Sequence, residues 1–151
     1  MKVILQRVTQ ASVSVGEEIV GQIGQGVVLL VGITHTDTVV QADWLAQKIA
    51  GLRIFPALDG PSGFDRSLQE ITGAALVISQ FTLYGEARKG RRPDFVQAAR
   101  PEVAAPLVEH FVAQLRAQGL TVQTGAFGAD MQVSLVNDGP VTLILEQLNM
   151  T

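Results

Sequence analysis

Along residues 2–23, apolar and polar positions alternate with a period near two. Val3, Leu5, Val13 and Val15 sit among Gln6, Ser12 and Ser14. Such alternation marks half-buried strands. It predicts strands over 2–9, 12–16 and 19–23, with turns at Gly16-Glu17-Glu18 and Gly24-Gln25-Gly26. The run VVLLVGI at 27–33 is apolar throughout, as in a strand covered on both faces. The period then changes. Thr36, Asp37 and Thr38 are helix N-cap residues. Val40, Trp44, Leu45, Ile49 and Leu52 follow on one helical stripe, and Trp44, the single tryptophan, is expected to anchor the core. LRIF at 52–55 reads as a short strand, 56–63 as a loop rich in Pro, Gly and Asp, and ALVISQF at 75–81 as a buried strand. A second helix is predicted over 102–118. Val103, Leu107, Val108, Phe111, Val112 and Leu115 form its stripe, and Gly119 its stop. Strands over 120–124, 131–136 and 141–146 complete the pattern.

This order implies an α+β fold. It is β-rich, with mixed or antiparallel sheets forming a barrel-like core and two main helices. The 151 residues fit a single domain, 1–151. No repeat, low-complexity tract or linker interrupts them. There are no cysteines, which removes disulfides, thiolate catalysis and thiolate metal sites. Gln6 and Arg7 interrupt the N-terminal apolar run too early for a signal peptide. No apolar stretch reaches the roughly 18 residues of a membrane helix. A cytoplasmic protein without membrane contact is expected. The net charge of −3 argues against a broad basic face that coats nucleic acid. Four of the eleven basic residues nevertheless crowd into five positions: Arg88, Lys89, Arg91 and Arg92. Local contact with RNA phosphates survives the global test.

The familiar catalytic sets are missing. His35 and His110 are the two histidines, and neither belongs to an HxH or HExxH pattern, so no metal site is expected. There is no Gly-x-Ser-x-Gly elbow and no P-loop. GQIGQG at 21–26 lies between two predicted strands and opens no helix, so it reads as a turn rather than a dinucleotide fingerprint. Glu17-Glu18 reads as a solvated turn, and Asp59, Asp65 and Glu70 as loop acids rather than an acid–base couple. Any catalysis has to be easy, or the substrate has to supply part of it.

Two segments are harder to explain as packing. Ser79-Gln80-Phe81-Thr82-Leu83-Tyr84 puts polar residues directly after a buried run. It is either a strand end hydrating its last residues or a strand end aiming hydroxyls and N–H groups into a cleft. Asn137-Asp138-Gly139-Pro140-Val141-Thr142 is dense in turn chemistry between two apolar strands. It is either a plain hairpin connection or, with a cis bond before Pro140, a pair of bare carbonyls turned to one side as an ammonium receptor.

SQFTLY at 79–84 and NDGPVT at 137–142 together resemble the D-aminoacyl-tRNA deacylase family. MKVILQRV at the start, RKGRRPDF at 88–95 and GAFGADM at 125–131 resemble it too, in the same order, so the resemblance covers essentially the whole chain. It implies hydrolysis of the ester joining a D-amino acid, or glycine, to the terminal adenosine of tRNA. It also implies a homodimer with sites at the interface and no cofactor. Ser79, Gln80, Phe81 and Thr82 would form the catalytic edge. Gly139 and Pro140, with Asn137, would enter the partner's pocket as a cis segment and hold the substrate's amino group. Phe127 and Met131 would touch the terminal adenine, with core packing the alternative for Met131. Arg7 would fix the Gly-Pro segment, unless it is only a surface ion pair. Arg88, Lys89, Arg91 and Arg92 would contact tRNA phosphates, unless they are only a solvated run.

Under that resemblance, Thr82 is either a nucleophile or a bystander to assistance from the substrate's ribose 2′-OH. The lack of a nearby base in the sequence favours the latter. Two other classes compete. One is a non-enzymatic RNA-binding module, weakened by the acidic balance. The other is a small-molecule binding domain with a plain Gly-Pro hairpin.

Overall fold

The computed structural model describes residues 1–149; residues 150 and 151 of the expected domain lie outside the described part. Its spine is β1 (Lys2–Val15), one 14-residue strand where two were expected. The break predicted at 10–11 is a register irregularity between Val8 and Gln10. Val3 and Leu5 pack toward the helices, whereas Val8, Ala11 and Val13 belong to a second core on the opposite face.

On one edge β1 pairs antiparallel with β2 (Glu18–Ile23) at residues 11–15 and with β3 (Gly26–Gly32) at residues 2–8. β3 pairs parallel with β6 (Ala74–Ser79), and β6 pairs parallel with β7 (Thr121–Thr124). The sheet is therefore mixed. Its far edges approach each other, giving the barrel-like form. A Cβ on Gly21 of β2 would lie 2.7 Å from the Thr124 carbonyl oxygen of β7, so glycine permits this closure. Inside sit Val8, Ala11, Val13, Ile23, Val28, Leu76 and Ile78. The β3 run is covered on both faces as its apolar composition requires: Val27, Leu29 and Val31 face the helical layer, and Val28 faces the barrel.

Two helices cover the outer face. α1 (Val39–Gly51) starts at the Thr38 N-cap, whose capping box is completed by Gln41. Leu45, Ala46 and Ile49 are buried against the sheet. Trp44 is a correction: it is 42% exposed and lies on the rim of the stripe, not in the core. α2 (Pro101–Ala117) buries Leu107, Phe111 and Leu115. His110 is a surface residue, its Nε2 2.6 Å from Asp43 of α1. Strands β4 (Arg53–Phe55) and β5 (Arg66–Ser67) form a small separate ribbon.

The other edge of β1 is occupied from end to end by β8 (Gln132–Glu146). Here the expected pair of strands around a connection is overturned. The chain does not reverse at Asn137–Thr142, because both halves of β8 pair with the same strand. Val8 pairs with Asn137 and Gln6 with Thr142, so residues 138–141 stand opposite Arg7 alone. The Gly-Pro segment is a large bulge in a continuous strand.

The Asp37 carboxylate, expected among the helix caps, has another task. Its Oδ1 lies 2.6 Å from the Met1 ammonium, and both side chains are almost wholly buried. Its Oδ2 accepts from the Thr34 N–H at 2.8 Å. Among the described residues no helix is long and apolar enough to cross a membrane.

Candidate active site

β6 leaves the core at Ser79, which is half-buried at the strand's end. The Gln80 N–H makes one last ladder-like bond, to the Val31 carbonyl at 2.7 Å. The chain then tightens into a 3-10 turn over Phe81–Tyr84, where the pattern had extended the strand to 81. Glycine at position 32 makes room for it: a Cβ there would lie 3.0 Å from Leu83 Cβ and 3.2 Å from the Gln80 carbonyl oxygen. Lys2 ties the turn down from β1. Its ammonium is 3.4 Å from the Leu83 carbonyl oxygen and 5.0 Å from the centre of the Tyr84 ring. The Tyr84 hydroxyl is buried and has no hydrogen-bond partner among the described residues. Burial first, then the nearby Asp37 and Glu146 carboxylates, pushes its pKa upward, so it stays protonated.

The turn leaves two donors open. Among the described residues the N–H groups of Phe81 and Thr82 make no backbone bond, as expected for the start of a helical turn. The Gln80 side-chain amide donates to Thr82 Oγ1. Phe81 is 57% exposed and meets Phe95 edge to face, with ring centres 5.1 Å apart. Behind these residues lies a cavity of about 380 Å³. Val31, Ile33, Ala99 and Ala104 give it an apolar lining, and Ser79, Gln80, Phe81, Phe95 and Phe127 stand around it.

Phe127 is thus brought beside Ser79, Gln80 and Phe81, while Met131 is not. Met131 packs against the barrel core, close enough that a Cβ on Gly125 would lie 2.6 Å from its sulfur. Gly139 and Pro140 do not line the cavity of their own chain. They are exposed at the crest of the bulge, and the bond between them is cis. Arg7 holds the crest from beneath and is itself buried, at 8% exposure, although its Nε also pairs at 3.4 Å with the half-exposed Asp138 carboxylate. Its Nε donates to the Asp138 carbonyl at 3.1 Å, and its Nη1 donates to the Ile54 carbonyl at 2.7 Å. Asn137 spans the base of the bulge. Its Oδ1 accepts from the Val141 N–H at 3.2 Å, and its Nδ2 donates to Thr142 Oγ1 at 3.0 Å.

The basic run forms a small ribbon beside the cavity, closed by the Glu86–Asp94 bridge, with Gly90 at its tip. Its four cations differ. Arg88 is engaged with Glu86 through Nε at 2.9 Å and through its backbone N–H at 2.8 Å. Those bonds hold the Glu86 carboxyl down at about 2 and raise the Arg88 pKa. Lys89, Arg91 and Arg92 are exposed and form no ion pair among the described residues. His35 is taken up by the backbone, with Nε2 2.6 Å from the Val96 carbonyl oxygen. The Glu70 carboxyl is lowered by the Ser67 backbone and hydroxyl, so this loop acid is a local staple. No three His, Asp or Glu side chains gather as a metal set among the described residues.

Sequence reasoning missed Lys2, Gly32 and Phe95. Phe95 had a signal, since it closes the RKGRRPDF stretch. Lys2 and Gly32 had none, because their role depends on the turn crossing over the β1–β3 pair.

Residues 4–146 match the family model described as D-Tyr-tRNA(Tyr) deacylase. A D-aminoacyl-tRNA deacylase of Exiguobacterium sibiricum is 59% identical over 97% of this chain and 100% of its own length. One from Chloroflexus aurantiacus is 55% identical over 99% of this chain and 92% of its own. A solved structure described as c-Myc DNA Unwinding Element Binding Protein superposes with a TM-score of 0.90 at 40% identity, covering 99% of this chain and 100% of that one. A probable eukaryotic D-amino acid tRNA deacylase shares the fold at a TM-score of 0.83 and 21% identity, covering 95% and 97%. With the family model spanning nearly the full length and relatives at this identity, the chain belongs to the D-Tyr-tRNA(Tyr) deacylase family.

Proposed function

We propose that this chain, as one deacylase domain, hydrolyses the ester of D-aminoacyl-tRNA and of glycyl-tRNA, releasing free tRNA and the amino acid. The reading rests on one observation above all. The catalytic edge and the Gly139-Pro140 crest are both built and held, yet the crest does not border its own chain's cavity. Two copies that exchange crests would complete two sites. A homodimer with shared sites follows, with the crest of one protomer facing Ser79, Gln80, Phe81 and Thr82 of its partner.

In such a site the crest carbonyls receive the substrate's ammonium, and the terminal adenine lies in the apolar cavity against Phe127. The ester carbonyl oxygen accepts from the Phe81 and Thr82 N–H groups, which stabilise the charge that develops on it. Water adds to the carbonyl carbon, the bond to the ribose oxygen breaks, and that oxygen leaves with a proton. Thr82 Oγ1 bonds to the Gln80 amide and to no imidazole, carboxylate or amine among the described residues. This supports assistance by the ribose 2′-OH over a threonine nucleophile, and gives a reason to require RNA.

Handedness is selected by exclusion. With the ammonium, ester and Cα hydrogen fixed, a D side chain points away and an L side chain meets backbone. Rejection by backbone that cannot move aside is a repulsive form of specificity, and glycine has nothing to clash. Lys89, Arg91 and Arg92 would contact tRNA phosphates, while Arg88 shapes their ribbon. The protein would act in the cytoplasm, where tRNA is charged.

Matched D-aminoacyl-, L-aminoacyl- and glycyl-tRNA test this with purified protein. Cleavage of the D and glycyl esters with the L ester spared is expected. Equal cleavage of D and L would refute the exclusion mechanism, and an intact D ester would refute the activity.

A further inference from the structure

A second cavity, of about 300 Å³, adjoins the first at Phe127. The two cavities share Ser79, Val108 and Phe127, so a ligand that fills the first continues directly into the second. The floor of the second is apolar, with Val77 and Val112 buried. Its rim is not. Glu109 and Arg116 lie on α2, seven residues and so about two turns apart, on one face of the helix. Arg116 is held in place, its Nη2 donating to the Val122 carbonyl at 3.0 Å. The Glu109 carboxylate has no ion-pair partner among the described residues. The mechanism proposed above uses neither side chain.

An apolar slot bordered by an aromatic ring, a free carboxylate and a fixed guanidinium suits a flat heterocycle with a donor and an acceptor on its edge. Single-stranded bases are bound in this way, by stacking on an aromatic ring and by hydrogen bonds to their edges. We propose that this second cavity is a base subsite for the penultimate nucleotide of the tRNA, the cytidine of the shared CCA end. The inference rests on the deacylase reading. Cytosine carries an exocyclic N4 amine that a carboxylate accepts from. Its ring acceptors face a guanidinium that can only donate. Uracil has a carbonyl in place of the amine, and that oxygen would face the Glu109 carboxylate unpaired. Phe127 then separates two consecutive bases, the adenine on the cavity beside Phe81 and the cytosine on the cavity beside Glu109.

The test compares D-aminoacyl esters of adenosine, of CpA and of UpA, alongside D-aminoacyl-tRNA, in the wild type and in Glu109→Ala. Glu109 is exposed on a helix, where alanine is well tolerated. The wild type should favour CpA over UpA by about tenfold in kcat/KM, mainly through KM, the scale of one good base-edge contact. Glu109→Ala should bring that ratio close to one, and Glu109→Gln, which keeps an acceptor oxygen, should restore part of it. Equal use of CpA and UpA by the wild type would overturn the proposal. So would a Glu109→Ala enzyme that loses the same factor on adenosine, CpA and UpA esters, since that is the mark of a structural role. If all the D esters, D-aminoacyl-tRNA included, stay intact, the deacylase reading fails along with the subsite. Cleavage without base preference fails the subsite alone.

Discussion

Replacing Arg7 with alanine removes the guanidinium that holds the Gly139-Pro140 crest from beneath. Its guanidinium joins two carbonyls, Ile54 at 2.7 Å and Asp138 at 3.1 Å, and lies 6.0 Å from the centre of the Phe55 ring. A hydrogen bond to a charged group contributes about 1.5–3 kcal/mol. The Ile54 bond is buried, and no water replaces it. The Asp138 carbonyl bond is only partly buried, and the accompanying ion pair of Nε with Asp138 Oδ2 at 3.4 Å involves a carboxylate that is 43% exposed, so water recovers part of the loss there. One full and one partial bond give an expected destabilisation of about 2–4 kcal/mol, read from urea unfolding. The consequence for activity is separate. A Cβ on Gly139 would lie 2.9 Å from Arg7 Nη2, so the guanidinium is the floor on which the crest rests. Without it, kcat/KM on D-aminoacyl-tRNA should fall at least about tenfold, the size expected when a positioned group shifts by a fraction of an ångström. Arg7→Lys should recover less than half of either loss, because one ammonium cannot span both carbonyls. If Arg7→Ala unfolds at the wild-type urea concentration and keeps its activity within about twofold, the crest is held by something else and the reasoning is wrong.

Thr82→Ala should fold normally and keep most of its deacylation rate, since the hydroxyl is read as a bystander; complete loss with an intact fold would restore it as the nucleophile. Asp37→Asn should lower stability by about 3–5 kcal/mol, because it leaves the buried Met1 ammonium uncompensated. A thermal shift of only a degree or two would show that the ammonium finds water instead. Glu86 sits at about 2, below its ordinary 4.5, so its ion pair with Arg88 supports the ribbon above that ordinary value and is lost as pH falls through about 2. A carboxyl resonance titrating near 4.5 would contradict this.

The parts of this fold that were legible in the sequence are those where local chemistry and tertiary context agree. The 27–33 run, both helices and the mixed α+β arrangement belong here, because burial alone dictates them. The misreadings share a cause. Asn137-Asp138-Gly139-Pro140 carries the same residues whether a chain reverses or bulges, and only pairing of both flanks with β1 decides between them. The break expected at Gln10-Ala11 is an irregularity inside one strand. Phe81 continues an apolar run, yet the Gln80 N–H bond to Val31 is the last of the ladder, and the turn begins there. Trp44 has the right spacing for the core, but the narrow buried stripe of α1 leaves it at the margin. The Ser79–Thr82 edge was visible as polar residues after a buried strand. The supports under it, Lys2 and Gly32, come from distant parts of the chain and have no local pattern.

β8 has a consequence for solubility. A 15-residue strand with no partner on its outer side among the described residues, and with Val133, Val136 and Ile144 exposed along it, is the sort of border onto which stray chains add. Residues 138–141 spoil that border as a template. They put four residues where the neighbouring strand has one, and Pro140 offers no N–H to an incoming strand. The segment proposed to judge handedness is thus also a poor template for strand addition, so variants that straighten it should be watched for precipitation as well as for lost activity.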